Sequence, residues 1–189
     1  PYLSRNGKYL QIKGAGTVIS MDATLEFLSK HKDGDKPMFS VTWFPSPHSP
    51  HPEIPQGMKN AATLYKNQKT KLPGYFREIT LLDQQVGRLR SHLRKLGIEK
   101  NTLVIFTSDN GPHNEGGHKV GFFNSSGPLR GYKRSLYDGG IRVPMIAWWP
   151  GTIKPGESNH PSAFWDWLPT ACELAGADVP DDTAGLPFV

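Results

Sequence analysis

Leu103-Val104-Ile105-Phe106-Thr107-Ser108-Asp109-Asn110-Gly111 is the stretch whose reading decides the fold. Its first five residues are apolar or β-branched and do not alternate. That is the pattern of a buried strand covered on both faces, as in a parallel sheet. The strand runs directly into a polar corner, and open α/β sheets bind ligands at the carboxyl ends of their strands. Working back, Tyr75 to Leu96 predicts an amphipathic helix, with Ile79, Leu82, Val86, Leu89, Leu93 and Leu96 stepping by three and four along one face. Pro73 lies just ahead of it, and Gly97 stands where a glycine cap belongs. Further back, Met38 to Phe44 predicts a second buried strand, and residues 21–31 predict a short helix ended by Gly34 and Pro37. Going forward, Val143 to Trp149 predicts a third strand, with Pro144 at its beginning or on an edge. Phe164 to Ala175 predicts a last helix closed by Gly176. This order predicts an α/β fold, a mostly parallel sheet flanked by helices.

The 189 residues suit one domain or the larger part of one. With 37% hydrophobic and 21% charged residues, the chain has the composition of a globular protein and not of a disordered one. No run approaches the roughly 20 apolar residues of a membrane span. Net charge is +5, with basic residues gathered between Lys59 and Lys71 and between Arg88 and Lys100. These read as solvated helix faces, with attraction of an anionic substrate as the alternative reading. No basic–aromatic motif accompanies them, which argues against nucleic acid as a partner. Cys172 is the sole cysteine, so there is neither a disulfide framework nor a cysteine zinc site. Its apolar helical setting predicts an inert thiol. The chain opens on Pro1-Tyr2-Leu3 and closes on Leu186-Pro187-Phe188-Val189, so both ends read as cut from a longer protein.

Four groups could carry chemistry. Asp109 and Asn110 set a carboxylate beside an amide oxygen, which suits a hard cation such as Ca²⁺ or Mg²⁺. Asp-Asn-Gly is equally good chemistry for a plain turn. His48, in Pro47-His48-Ser49-Pro50-His51-Pro52, could be a proton donor held stiffly by prolines, or an exposed loop residue. His48-x-x-His51 could also pair on a transition metal, although no further ligand spacing supports it. Lys133, bracketed by Gly131 and Gly139-Gly140, could neutralise an anionic oxygen or face solvent. His113, Glu115 and His118 form a polar loop that lines a pocket or is solvated, and His113 is assigned to the pocket for its closeness to Asp109.

The order of the motifs is more specific than any one of them. Thr107-Ser108-Asp109-Asn110-Gly111, Gly127-Pro128-Leu129-Arg130-Gly131-Tyr132-Lys133, Leu136-Tyr137-Asp138-Gly139-Gly140-Ile141-Arg142-Val143-Pro144 and Trp149-Pro150-Gly151 follow one another. Together they resemble the second half of the type I, formylglycine-dependent sulfatases (arylsulfatases) of the alkaline phosphatase superfamily. Asp166-Trp167-Leu168-Pro169-Thr170 resembles that family's Asp-x-x-Pro-Thr helix, and Pro47-His48-Ser49-Pro50 resembles its Pro-His-x-Pro loop.

The resemblance implies an alkaline phosphatase-like fold and hydrolysis of sulfate esters, either aryl sulfates or sulfated glycans. It implies Asp109 and Asn110 as ligands of calcium, with magnesium as the other possibility. It implies Lys133 on the sulfate group, in substrate binding, and His48 beside the leaving-group oxygen, while His113 joins Lys133 in substrate binding on its closeness to Asp109 in sequence. It also implies a secreted, periplasmic or lysosomal setting. Two departures stand out. Asp138 replaces the family's usual Glu, which keeps the charge. The Cys-x-Pro/Ala-x-Arg motif that yields the formylglycine nucleophile is absent, as is the N-terminal Asp pair. The expectation is the C-terminal portion of a sulfatase catalytic domain, inactive alone and partnered by the missing remainder of that domain. A phosphoester hydrolase or transferase of the same superfamily, and a non-catalytic relative that binds sulfated glycans, are the rival readings.

Overall fold

The computed structural model describes residues 2–51, 73–116 and 118–188, in two compact units. The larger comprises residues 1–33 and 38–153, the smaller residues 34–37 and 154–189. The predicted basic cluster from Lys59 to Lys71, and the loop from Pro52 to Pro55, lie outside the described residues. No helix among the described residues is long and apolar enough to cross a membrane.

The larger unit opens with a hairpin that the sequence reading did not assign. Strands β1 (Tyr2–Arg5) and β2 (Lys8–Gln11) pair antiparallel around Asn6-Gly7, both at positive φ. Asn-Gly in that conformation matches the right-handed twist of the flanking strands. Helix α1 (Gly16–His31) starts five residues before the predicted Met21. It packs on helix α2 (Pro73–Leu96), where buried Leu81 meets Ala15 and Val18. The end of α2 matches the prediction: Gly97 is left-handed at φ 73°, Gly97 N–H donates to Arg94 O, and Ile98 N–H donates to Leu93 O. That is the two-bond glycine cap in which no Cβ opposes the left-handed turn.

The buried face of α2 differs from the predicted stripe. Gly74, Arg77, Glu78, Leu81, Gln85 and Leu93 are buried, whereas Ile79 is 40% exposed. The polar positions are drawn inward by a hydrogen-bonded chain. Ser46 Oγ donates to the Glu78 carboxylate, so its one proton is committed, and Thr17 Oγ1 must donate to Ser46 Oγ across 2.5 Å. Hydrophobic periodicity has no means of registering such a partner. The chain of bonds fixes Ser46, two residues before His48, against both helices.

Strand β3 (Val104–Thr107) delivers the polar corner as predicted, and β4 (Met145–Trp148) follows Pro144, which sits just before it. The two pair antiparallel, Val104 opposite Trp148 and Thr107 opposite Met145. Both sheets among the described residues are two-stranded and antiparallel, so the expected mostly parallel sheet is not formed by them. An apolar run without alternation reports two covered faces but not the direction of its partner. Met38 to Phe44, predicted as a strand, forms no ladder among the described residues. Phe39, Val41 and Trp43 are exposed, and Thr42 Oγ1 lies 2.6 Å from Thr24 Oγ1 of α1. Strand-forming residues without a neighbouring edge to bond give no ladder.

The smaller unit is a clasp. A 3₁₀ turn at Phe164–Asp166 leads into α5 (Trp167–Ala175), a later start for the helix than the predicted Phe164. The buried Asp166 carboxylate accepts the N–H groups of Ala163 (2.7 Å) and Leu186 (3.0 Å). Thr170 Oγ1 donates to Asp166 O (2.6 Å) and accepts from Phe188 N–H (3.1 Å). Asp166 and Thr170 thus act structurally, tying the helix to residues 186–188.

Candidate active site

The corner after β3 is built from backbone packed on backbone. Gly111 N–H donates to Gly140 O at 2.9 Å, and Lys133 N–H donates to Pro112 O at 2.9 Å. A Cβ on Gly111 would collide with the carbonyl of Gly139, and one on Gly139 with the carbonyl of Gly131. Between them, glycines from three motifs allow an approach that no side chain would permit. Short helices α3 (Val120–Phe123) and α4 (Asp138–Ile141) flank this knot, and α4 carries the Gly139-Gly140 pair.

Asp109 is exposed, and its carboxylate makes no hydrogen bond or ion pair among the described residues. Asn110 Nδ2 donates to Gly111 O at 2.9 Å, which commits the amide nitrogen and leaves its oxygen as an unengaged acceptor. Two uncommitted oxygen donors side by side fit part of the shell of a hard divalent cation. Among the described residues, no group of three His, Cys, Asp or Glu stands close enough to hold a metal ion. The pair would supply only part of such a shell.

The structure brings His48 and Lys133 together across 85 residues, with Lys133 Nζ 3.3 Å from His48 Nε2. His48 Nδ1 lies 2.7 Å from Ser49 O. A carbonyl can only accept, so Nδ1 carries a proton and Nε2 faces the lysine. The Glu115 carboxylate is 4.0 Å from His48 Nε2 and 2.5 Å from the Arg134 guanidinium. Burial works to raise the pKa of Glu115, but Arg134, aided by Lys133 and His48, outweighs it and holds the carboxyl below its usual range. Sequence reasoning did not single out Arg134, whose pairing depends on a positive φ of 74° that no motif announces.

His113 stacks between His48 and His51, with ring centroids 5.7 Å from each. Glu115 N–H donates to its Nδ1 at 3.2 Å. Burial lowers its pKa, outweighing the pull of the Pro47 carbonyl. The structure thus sets His113 beside His48 and His51. His118 lies deeper, 2% exposed, stacked on Phe123 at 4.6 Å and tilted against Tyr75 at 4.5 Å. Burial, then the neighbouring His113 and His51, push its pKa down to about 4. Between pH 6.5 and about 4, the unfolded chain takes up a proton that the folded chain refuses, so stability falls as pH falls through that window. The expected result is a steeper acid loss of thermal stability in the wild type than in His118→Phe, read from melting curves between pH 7 and 4. Parallel curves would contradict it.

A family model described as "Sulfatase" matches residues 2–177. An uncharacterized sulfatase YdeN of Escherichia coli (strain K12) is 29% identical over 184 residues, covering 96% of this chain and 31% of that protein. The N-acetylgalactosamine-6-sulfatase of Sus scrofa is 34% identical over 169 residues, 89% of this chain and 30% of that one. Among solved structures, Ps i-CgsB in complex with k-i-k-neocarrahexaose superposes with a TM-score of 0.84 at 29% identity, over 98% of this chain and 40% of that one. The chain thus spans about a third of the length of the curated relatives it matches across most of its length. By the extent of the family match and the arrangement of the linked motifs, this chain belongs to the sulfatase family.

Proposed function

We propose that this chain is the part of a sulfatase that grips the sulfate ester from its anion-binding and leaving-group side, and that the substrate is a sulfated glycan. The observation that carries it is the Lys133–His48 pair, 3.3 Å apart in a member of the sulfatase family. Its setting in the Pro112–Lys133 knot beside Asp109-Asn110 supports it. So does the superposition on Ps i-CgsB in complex with k-i-k-neocarrahexaose.

Lys133 supplies a compact positive charge for a sulfate oxygen, where it balances charge that develops as the ester bond breaks. His48 Nε2 faces the same space, and the imidazolium, protonated at Nε2 as well as at Nδ1, can pass its Nε2 proton to the bridging oxygen as the alcohol leaves. The Ser49 carbonyl fixes the ring from behind, and Glu115, braced by Arg134, sets a negative charge beside Nε2. Asp109 and Asn110 would hold part of a calcium shell, which supplies a Lewis acid for the sulfate oxygens. The nucleophile, a hydrated formylglycine, comes from outside these 189 residues, whose one cysteine is followed by Glu173-Leu174-Ala175. The chain by itself has no turnover.

The test uses the enzyme that contains this chain, assayed on a sulfated sugar, on 4-nitrophenyl sulfate and on 4-nitrophenyl phosphate. His48→Ala is expected to lower kcat by about 10²-fold or more on the sugar sulfate, whose alkoxide needs a proton. It should change kcat far less on the nitrophenyl ester, whose leaving group departs unprotonated. Equal losses on both sulfates would remove His48 from the acid role. Preference for the phosphate would favour the phosphoester hydrolase instead.

A further inference from the structure

Beside the ring stack lies an open cavity of about 760 Å³ that none of the proposed chemistry uses. Its walls come from Asn114 and from residues 118–132, and His118, which lines it, is 5.2 Å from His113 between ring centroids. Phe122 and Tyr132, 61% and 44% exposed, line it. Around these rings sit Asn114, Asn124 and Lys119, whose side chains make no hydrogen bond or ion pair among the described residues. Aromatic faces, spare amides and an unpaired ammonium form a specific combination. A flat apolar ligand would use the rings and leave the amides and the ammonium idle. A sugar ring uses all of them: its C–H face lies on an aromatic ring, its hydroxyls bond to amides that both donate and accept, and a sulfate on it meets the lysine. The volume lies within the usual range for small-ligand sites and has room for one sugar ring.

We propose that this cavity is a subsite for the neighbouring residue of a sulfated glycan, itself sulfated, and that Phe122 and Lys119 recognise its ring face and its charge. The proposal rests on the sulfatase reading above and extends it from the bond cleaved to the chain that carries it. The subsite selects polymeric over simple sulfate esters and is independent of Lys133.

The experiment is calorimetric binding to the full chain of two probes: a galactose disaccharide bearing one sulfate on each ring, and the corresponding monosulfated methyl galactoside. Phe122→Leu, which keeps apolar volume but removes the ring face, and Lys119→Gln should each weaken the disaccharide about tenfold. Neither should alter the monosaccharide, and melting temperatures should be unchanged. Unchanged disaccharide affinity, equal weakening of both probes, or no disaccharide binding by the wild type would overturn the subsite. Failure of the sulfatase reading has a different signature: Lys133→Ala leaves monosaccharide affinity intact while the split produced by Phe122→Leu and Lys119→Gln remains.

Discussion

Replacing Lys133 with alanine is expected to lower kcat/KM for sulfate ester hydrolysis by about 10²- to 10³-fold in the enzyme that contains this chain, the usual consequence of removing one group that stabilises transition-state charge. Lys133 is partly buried, its backbone N–H donates to Pro112 O, and its ammonium lies 3.3 Å from His48 Nε2. In the proposed role, its removal takes away the counter-charge for a sulfate oxygen and the donor that faces His48. Lys133→Arg should not restore the rate, because a planar guanidinium cannot place a point charge in the same spot. Steady-state kinetics with melting curves as a control decide the matter. A rate within threefold of wild type, in a protein that melts normally, would show that sulfate is held elsewhere.

The second large effect is structural. Gly111→Ala should lower stability by about 1–3 kcal/mol, the cost of forcing one carbon into a filled space. For a chain of this size that corresponds to a fall of about 3–10 °C in Tm. The added Cβ meets the Gly139 carbonyl and the Gly140 Cα, and the Gly111–Gly140 hydrogen bond cannot keep its length as the strands of the knot separate. Gly87→Ala is the matched control. It lies exposed within α2, a Cβ there meets nothing within 4 Å, and it should raise stability by about 1 kcal/mol through helix propensity. Equal melting temperatures for Gly111→Ala and wild type would show that the corner is slack.

Much of the frame was readable from local chemistry. The caps at Gly97 and Gly176, the strand into Asp109 and the strand after Pro144 all follow from turn residues and apolar runs. His48 and Lys133 were legible through their motifs, and the structure joins them. What was lost depended on partners distant in the chain. The α2 face rotated because Ser46 binds Glu78. Met38 to Phe44 found no edge to bond among the described residues, and β3 chose an antiparallel neighbour that periodicity cannot name. The polar loop from His113 to His118 read as solvated or lining, but His118 is buried because Tyr75 and Phe123 enclose its ring. Glu115 found Arg134 only through the path of the loop.

The glycine knot also bears on how specificity can be re-engineered. Gly111, Gly131 and Gly139-Gly140 meet without spare room, so the segments carrying them move as one unit. Grafting any one of them from another sulfatase would import a mismatch at the other contacts. Lys119, Phe122 and Asn124 are exposed, and a Cβ at Gly121 or Gly127 meets nothing within 4 Å. These positions, unlike Glu115 and His118, are exchangeable on an unchanging hinge, the place where new selectivity can be installed without touching the chemistry.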